Sequence, residues 1–506
     1  MRSFELLLLL ACLLTFLLWT IPRLHAKGRI KWAVLSTLSI AIIQVLVEGG
    51  RWQMIPAYLL TGIFLLVWLL QQFVPAGGII KRVITNRLVT VSALVLGIIV
   101  LGISFVLPII LPVFHFPRPG GPYGIGTATY DWADTNCREI FSTDTGARRE
   151  LMVQVWYPAR KGSSSPSATY IPTAEAVMAA TSKIHHLPDF FLQHIKYVTT
   201  HSSELVPVTS DKPIYPVLIY TEGLTGYRQM TNFQVEELVS NGYIVVAIDQ
   251  PGAAATVVFP EGNQITVPSV NAVMQPLIHQ SYSPIEPAPL LNGHAMPNGI
   301  VPYFAADVSF VLDRLASLNA ADPKGILTGR MDLTHTGLFG MSLGGTVGAE
   351  ACLKDPRIKA CLIEDVAMTA DVVSKCLKQP TMFITRPAAT MRLERQTAGG
   401  WAEADIVQTQ NTMRAVYTSL PAEGYFVQIP GAYHIDFTDL DLLSPLLSTI
   451  GISGPTAAER AHGIINAYSV AFFDKVLKGA TTALLDGPPT QYPEVIFETH
   501  RGFGRN

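Results

Sequence analysis

Charged residues are scarce in this chain. Only 15% of its 506 residues are Asp, Glu, Lys or Arg, and the formal net charge is −2 at pH 7. No long run of like charge occurs anywhere in the sequence. Proteins that bind nucleic acid usually carry a basic patch or stripe that neutralises phosphates. We therefore expect no nucleic-acid partner.

Cysteine is also rare. None of the cysteines forms a C-x-x-C pair, which argues against a zinc ribbon and a thioredoxin-type redox site. His185, His186 and His194 lack the spacing of a metalloprotease motif. We therefore predict neither a metal nor a cofactor, and the pairing of any disulfide stays open. The cysteines are Cys12, Cys137, Cys352, Cys361 and Cys376.

Apolar residues are concentrated in the first quarter of the chain. A helix needs about 20 apolar residues to cross a bilayer. The third and fourth runs exceed this length, and the first two reach it with their flanking residues. We predict a membrane region at 1–116 with four transmembrane helices. The runs cover Leu6–Ile21, Trp32–Val47, Met54–Val74 and Leu88–Phe114.

The first apolar run has an alternative interpretation as a signal peptide that ends near Leu24-His25-Ala26. A signal peptide begins with a positively charged segment, but here Glu5 offsets Arg2. A second apolar run also follows at once. We favour a retained first helix, and its cleavage stays open.

Basic residues predict the orientation of this region. Basic connections between transmembrane helices stay in the cytoplasm. The second connection has only Arg51, next to Glu48. Both chain ends should therefore lie outside, and everything after about Pro117 should face the outer side of the cell membrane. The first connection carries Arg23, Lys27, Arg29 and Lys31, and the third carries Lys81, Arg82 and Arg87.

From 117 to 506, short apolar strands alternate with helical stretches. This alternation predicts an α/β domain with a mostly parallel central sheet and helices on both faces. The segment 251–302 does not fit, because it is rich in Pro, Asn and Gly. It is either a lid-like insertion over the carboxyl edge of the sheet or a structural excursion. Strands are predicted at 150–158, 216–221, 243–250, 335–341, 357–364, 380–386 and 425–429, and helices at 233–241, 303–318 and 343–353.

The stretch Gly340-Met-Ser342-Leu-Gly344 has the Gly-x-Ser-x-Gly pattern of a nucleophile elbow. In an elbow, a sharp turn between a strand and a helix exposes the serine hydroxyl, and small flanking residues let the two elements pass closely. An apolar strand precedes Ser342, and Gly340, Gly344 and Gly345 provide the space. We interpret Ser342 as a catalytic nucleophile.

A serine nucleophile needs a base and an orienting carboxylate, which follow it in the order acid, then histidine. Of the later histidines, His434 follows a predicted strand in Gly431-AYHIDF, whereas His462 lies in a helical stretch and His500 near the tail. His434 is the predicted base. Asp365 is the favoured acid because it is short and lies further into the loop, with Glu364 as the alternative.

A transition-state oxyanion also needs N–H donors. The residue after the nucleophile, Leu343, provides one backbone donor. The loop Glu222-Gly223-Leu224, which follows the strand at 216–221, provides the second.

These motifs resemble those of the plasma and intracellular type II platelet-activating-factor acetylhydrolases, a family of α/β-hydrolases. The resemblance runs from about Gly121 to Leu447 and implies Ser342, Asp365 and His434 as the catalytic triad, with the backbone of Leu224 and Leu343 as oxyanion donors. It also implies hydrolysis of short or oxidised sn-2 acyl chains from phospholipids without calcium. The matching segments are Gly121-PYGIG, Val153-QVWYP, Gly242-YIVVAIDQPGAAAT, Gly340-MSLGGT, Leu362-IEDVAM and Gly431-AYHIDFTD.

The chain departs from the family pattern at several places. The family has His-Gly where this chain has Glu222-Gly223, and an aromatic residue soon after the acid where this chain has Ala367. The apolar runs have no counterpart in the well-known animal members. We expect an integral membrane serine esterase with a small-molecule ester or lipid substrate. The alternatives are a polyester or general short-chain esterase of the same fold, and a catalytically silent interaction module.

Overall fold

The structure is a computed structural model that describes residues 1–21, 23, 27–73, 87–162, 165–487 and 490–502. The described chain divides into two compact units. The first comprises Met1–Phe114, Phe190–Val198 and Leu443–Leu446, and the second comprises His115–Asp189, Thr199–Leu442 and Leu447–Asn506.

The first unit is helical. Its long helices are α1 (Ser3–Thr20), α2 (Lys27–Glu48), α3 (Ile55–Phe73) and α4 (Arg87–Ile110). Among the described residues, these are the four helices that are long and apolar enough to cross a membrane. Helix α2 begins before the predicted apolar run. Helix α4 ends before Leu111-Pro112, because helical backbone is disfavoured at a residue that precedes a proline.

Buried charges join three parts of the first unit. The Arg51 guanidinium lies 2.6 Å (Nε to Oε1) from the Glu5 carboxylate, and it donates to the backbone oxygen of Leu111 at 2.5 Å. The start of α1, the α2–α3 connection and the end of α4 therefore meet at one end of this unit. The candidate cleavage site at 24–26 and the basic residues at 81 and 82 lie outside the described residues.

The second unit contains a large sheet, which has ten strands within the described residues, in the order β14-β13-β12-β11-β10-β4-β5-β2-β1-β3. The strands from β5 to β13 in this order pair in parallel, whereas β2 pairs antiparallel with both β1 and β5, and β14 pairs antiparallel with β13. The sheet strands are β1 (Gly124–Arg138), β2 (Arg148–Ala159), β3 (Ser202–Glu204), β4 (Tyr215–Thr221), β5 (Ile244–Asp249), β10 (Met331–Met341), β11 (Ile358–Glu364), β12 (Thr381–Thr385), β13 (Gly424–Gln428) and β14 (Ile496–His500).

Helices cover both faces of the sheet because the central strands are apolar on both sides. In β4, Val217 and Ile219 join one core cluster, whereas Leu218 and Tyr220 join the other. This alternation follows from the two-residue period of a strand. The remaining helices are α5 (Ala174–Ile184), α6 (Asn232–Ser240), α7 (Gln275–Tyr282), α8 (Val301–Ala320), α9 (Leu343–Lys354), α10 (Ala370–Lys375), α11 (Ala388–Thr397), α12 (Glu403–Ser419) and α13 (Ala458–Lys478).

The face shared by α8, α9 and α12 holds the larger core cluster, and α6 and α13 pack on the other face. This arrangement confirms the predicted α/β fold with a mostly parallel sheet and helices on both faces. The sequence pattern missed β1, β3 and β14, which contain polar residues and lie toward the ends of the sheet.

The segment 251–302 follows β5 and ends in the first turn of α8. It folds into the hairpins β6 (Thr256–Val258) with β7 (Gln264–Thr266) and β8 (Leu290–Leu291) with β9 (His294–Ala295), a π-helical turn at Val270–Met274, and α7. Neither hairpin joins the main sheet. The predicted insertion therefore has its own local structure.

Candidate active site

Ser342 lies in the sharp turn between β10 and α9, with φ 57° and ψ −132°. This positive φ is a strained conformation for a residue that carries a side chain. A Cβ atom at Gly344 would lie 2.0 Å from the backbone oxygen of Thr221, and one at Gly340 would lie 2.5 Å from that of Gly344. The glycines are therefore required for the strand and helix to pass at this distance, as an elbow demands.

The structure brings the predicted histidine to the serine. His434 begins a short 3-10 turn after β13, and its Nε2 lies 3.0 Å from the Ser342 Oγ. Its Nδ1 lies 2.7 Å from the Asp365 Oδ2. With the imidazole proton on Nδ1, the ring donates to the carboxylate, and Nε2 accepts the proton of the serine hydroxyl.

Asp365 is fully buried just after β11. The Thr385 hydroxyl donates to its Oδ1 at 2.8 Å, and the Arg386 Nε lies 2.9 Å from its Oδ2. Burial alone would raise the pKa of the Asp365 carboxyl, but the Arg386 guanidinium and the hydrogen bond from His434 outweigh it and hold that pKa well below its usual range. Asp365 is therefore a carboxylate at neutral pH.

Glu364, the alternative acid, takes a different direction. Its side chain accepts a hydrogen bond from Gln234 Nε2 at 2.7 Å, and its backbone oxygen accepts the N–H of Ser342 at 3.0 Å. Burial raises the pKa of Glu364 to about 8. Because side chains of neighbouring residues leave a strand on opposite sides, the Asp365 carboxyl contacts the His434 imidazole, and the Glu364 carboxyl contacts Gln234 instead.

The predicted oxyanion loop lies beside the serine. A Cβ atom at Gly223 would lie 3.2 Å from the Ser342 Cβ. The N–H of Thr225 is occupied by the backbone oxygen of Ala253 at 2.7 Å. The N–H groups of Leu224 and Leu343 have no acceptor within the described part of the chain, and both residues line the same cavity as Ser342. These two N–H groups can therefore donate hydrogen bonds to a ligand atom in the cavity.

Glu222, at the position where the resembled family has histidine, is buried and is not among the residues that line this cavity. Its Oε1 accepts the backbone N–H of Gln250 at 2.9 Å. Burial and the neighbouring carboxyl of Asp249 raise the pKa of Glu222 well above its usual value. This shift favours the neutral carboxylic acid over a charged group beside the Leu224 loop.

Ser342 and His434 line a cavity of about 1000 Å³. The segment 251–302 provides part of its wall, and Ala367 lies on the wall near the acid. Tyr282, at the end of α7, shares a hydrogen bond with the Thr346 hydroxyl at 3.1 Å. This contact joins the inserted segment to the helix that begins at the serine. Other wall residues are Lys183, His185, His186, His279 and Trp401.

Sequence reasoning missed Arg386 and Trp401. The strand at 381–385 ends without a carboxylate, and the next acidic residue along the chain is the more remote Glu394. Arg386 follows that strand at once and is fully buried, and Glu394 pairs with Arg386 and not with His434 Nδ1. An arginine at a strand end next to the acid strand is the signal that could have identified it.

The cysteines and histidines that raised the question of metals do not form a cluster. All five cysteines are free thiols. Among the described residues, no group of three or more His, Cys, Asp or Glu side chains is arranged to hold a metal ion. His185 and His186 instead line the cavity wall.

Comparisons with known proteins agree with the sequence motifs. The family model for platelet-activating factor acetylhydrolase, isoform II, matches residues 110–277. A platelet-activating factor acetylhydrolase from Cavia porcellus is 22% identical over 380 residues, covering 71% of this chain and 78% of that protein. A probable 1-alkyl-2-acetylglycerophosphocholine esterase from Arthroderma benhamiae is 23% identical over 406 residues, covering 76% of this chain and 94% of that protein.

A solved structure shows the same fold. The ferulic acid esterase from Streptomyces cinnamoneus matches with a TM-score of 0.59 and 24% identity, over 76% of this chain and 99% of that one. These findings confirm the family resemblance and the α/β-hydrolase fold that the sequence predicted.

Proposed function

We propose that this chain, a relative of the platelet-activating-factor acetylhydrolases, is a carboxylic-ester hydrolase that works through a Ser342–His434–Asp365 triad. One observation carries the proposal. The hydroxyl, the imidazole and a charged carboxylate form a continuous series, with distances of 3.0 and 2.7 Å, on the wall of a cavity. The same order of groups activates serine in unrelated hydrolases.

In the proposed reaction, the Ser342 Oγ attacks the ester carbonyl while His434 Nε2 takes the hydroxyl proton. The tetrahedral intermediate collapses, the bond to the alcohol oxygen breaks, and His434 returns the proton to that oxygen. The acyl group is then bound to Ser342. A water molecule repeats the sequence, with His434 as base, and releases the carboxylic acid and free serine.

The proposed oxyanion donors are the backbone N–H groups of Leu224 and Leu343. They lie on either side of Ser342, on the loop after β4 and at the start of α9. Loss of one such donor typically raises the barrier by about 3 kcal/mol. A neutral Glu222 is compatible with an oxyanion-binding role of the Leu224 loop, because it adds no negative charge beside a developing oxyanion.

The proposed substrates are phospholipids with short or oxidised sn-2 acyl chains. The names of two relatives support an acetylated glycerophospholipid as substrate. The four apolar helices support a location where lipid is at hand. We propose that the chain is a multi-pass protein of the cell membrane and that the hydrolase unit lies on the outer face, as the basic first and third connections indicate.

A fluorophosphonate probe tests the triad directly, because it phosphonylates only an activated serine. The full chain in detergent should be labelled, Ser342→Ala should not, and the control Ser374→Ala, at an exposed serine of α10, should be labelled like wild type. Hydrolysis of a short sn-2 acyl phospholipid should fall by about 10⁴-fold or more in Ser342→Ala. Equal labelling of wild type and Ser342→Ala would mean that the activated serine lies elsewhere and would refute the proposal, whereas no labelling of either protein would favour a silent module.

A second assay on the same preparation distinguishes between the possible classes of substrate. Short sn-2 acyl phospholipids, long-chain phospholipids and p-nitrophenyl esters are compared by kcat/KM. The proposal expects the short-chain phospholipid to be preferred. A preference for simple esters with no phospholipid turnover would identify a general short-chain esterase.

A further inference from the structure

A buried arginine lies next to Asp365, the acid of the proposed triad. Arg386 follows β12 and is fully buried. Its Nε lies 2.9 Å from the Asp365 Oδ2, and its Nη1 pairs with the carboxylate of Glu394, on α11. One guanidinium is therefore shared between two carboxylates, only one of which touches His434 Nδ1.

The end of β12 holds both oxygens of Asp365. Thr385 donates to Oδ1, and the next residue, Arg386, faces Oδ2. The backbone oxygen of Arg386 is itself anchored by the Gln410 amide at 2.9 Å. The carboxylate is thus oriented by a segment that is fixed at both its side chains and its backbone.

Trp401 connects this arginine to the histidine. The Arg386 Cζ lies 5.2 Å from the centre of the indole ring, within the range of a cation–π contact. The same indole lies edge-on to the His434 ring, with centroids 5.0 Å apart and planes at 77°. Trp401 also lines the cavity, whereas Arg386 is not among the residues that line it.

We propose that Arg386 is a positioning residue for ester hydrolysis, which together with Glu394 sets the charge balance around Asp365 and hence the pH range in which His434 acts as a base. The inference rests on the proposed function and deepens it. Arg386 does not touch the reacting atoms. It acts through Asp365, the group that orients the imidazole.

Several charged or titratable side chains surround Asp365. These are Arg386 just after β12, His434 after β13, and Glu364, which is adjacent in the chain. Glu394, on α11, pairs with Arg386, and its Oε1 also accepts the backbone N–H of His434 at 3.4 Å. Burial raises the pKa of Glu364 to about 8, so it is uncharged at neutral pH. The positive charge of Arg386 partly offsets the negative charge that the imidazole meets, and Glu394 partly offsets Arg386.

Two opposite shifts are expected from this balance. Arg386→Gln leaves the carboxylates beside the imidazole uncompensated, so the acid limb of the kcat/KM profile should move to higher pH by about one pH unit. Glu394→Gln leaves the whole guanidinium charge to Asp365, so the acid limb should move to lower pH. Arg386→Lys keeps the charge and should keep the limb near its wild-type position with a lower kcat.

The experiment measures kcat/KM for p-nitrophenyl acetate against pH with the full chain in detergent. The matched control is Arg414→Gln, which removes a half-exposed arginine paired with Glu498 and should leave the profile unchanged. If Arg386→Gln fails to fold, Glu394→Gln alone decides by the direction of its shift. An acid limb that stays in place in both variants, even with reduced kcat, would show a merely structural role and overturn the inference. Absence of any wild-type activity would instead refute the proposed function.

Discussion

The strands on the two sides of the nucleophile strand end in similar residues with opposite properties. Strands β4 and β11 both pair with β10, and each is followed by a buried carboxyl, Glu222 in one case and Asp365 in the other. The pKa of Glu222 is raised well above its usual value, whereas that of Asp365 is held well below it. Equal burial has produced an uncharged acid on one side and a charged one on the other.

The difference lies in the nearest charged neighbour. Asp365 has the Arg386 guanidinium at 2.9 Å. Glu222 has the carboxyl of Asp249 nearby, and the arginine on that side, Arg228, pairs with Asp249 and not with Glu222. Burial disfavours charge in both places, and only a cation close by reverses that preference. The charged carboxyl is placed where an imidazolium would form, and the neutral one beside the loop that would meet an oxyanion.

The largest effect is expected from removing the charge on the β11 side. Asp365→Asn should reduce kcat by about 10⁴-fold, because an amide cannot stabilise the imidazolium and can hold His434 in the wrong tautomer. Hydrolysis of a short sn-2 acyl phospholipid measures this. The control is Asp313→Asn at an exposed aspartate, which should keep full activity. A loss below about tenfold in Asp365→Asn would mean that another carboxylate orients the imidazole.

A smaller effect concerns stability and separates the neighbours Glu364 and Asp365. Burial raises the pKa of Glu364 from 4.5 to about 8, so the folded state keeps a proton that the unfolded state releases between these values. Its stabilising contribution is full below pH 4.5 and is lost as pH rises through about 8. Asp365 has the opposite sign, because its lowered pKa makes its contribution full at neutral pH and lost in acid.

Glu364→Gln should therefore flatten the loss of stability at higher pH. The free energy of unfolding of the variant, relative to wild type, should rise between pH 5 and 8 by on the order of 1–3 kcal/mol. Melting temperatures of both proteins across this range measure it, with Glu459→Gln, which changes a charge on the exposed first turn of α13, as control. A constant difference at all pH values would contradict a buried neutral Glu364.

The comparison also shows what the sequence could predict of the fold. The central strands are apolar on both faces, so they stand out in the sequence as continuous apolar runs. In β4, for example, Val217 and Leu218 are both apolar although they face opposite layers. Strand β1 was missed because Asp131 and Asp134 interrupt it. A half-polar strand such as β1 is recognised by its pairing with a neighbour, here β2. That pairing is part of the tertiary structure and cannot be read from the sequence of β1 alone.

For the site, the motif order pointed to Ser342 and His434, and the structure brings these side chains within 3.0 Å. The choice between Glu364 and Asp365 could not be closed from the residues, because adjacent carboxyls at a strand end look alike in a sequence. Contacts with Arg386 and Gln234, which lie in other elements, distinguish them. For the same reason the sequence did not show whether the Glu222 carboxyl is charged.

The smallest effect is expected from Glu222→Gln, which probes the other half of the comparison. A neutral glutamic acid and a glutamine both offer an oxygen to the N–H of Gln250, so kcat for phospholipid hydrolysis should change by less than about threefold. Glu222→Ala removes that acceptor from a buried amide and should lower the melting temperature, which shows that the position is sensitive. If Glu222 were instead charged, its removal in Glu222→Gln would relieve repulsion of the oxyanion and raise kcat by about tenfold or more. Such a rise would mean that burial and Asp249 do not keep this carboxyl protonated.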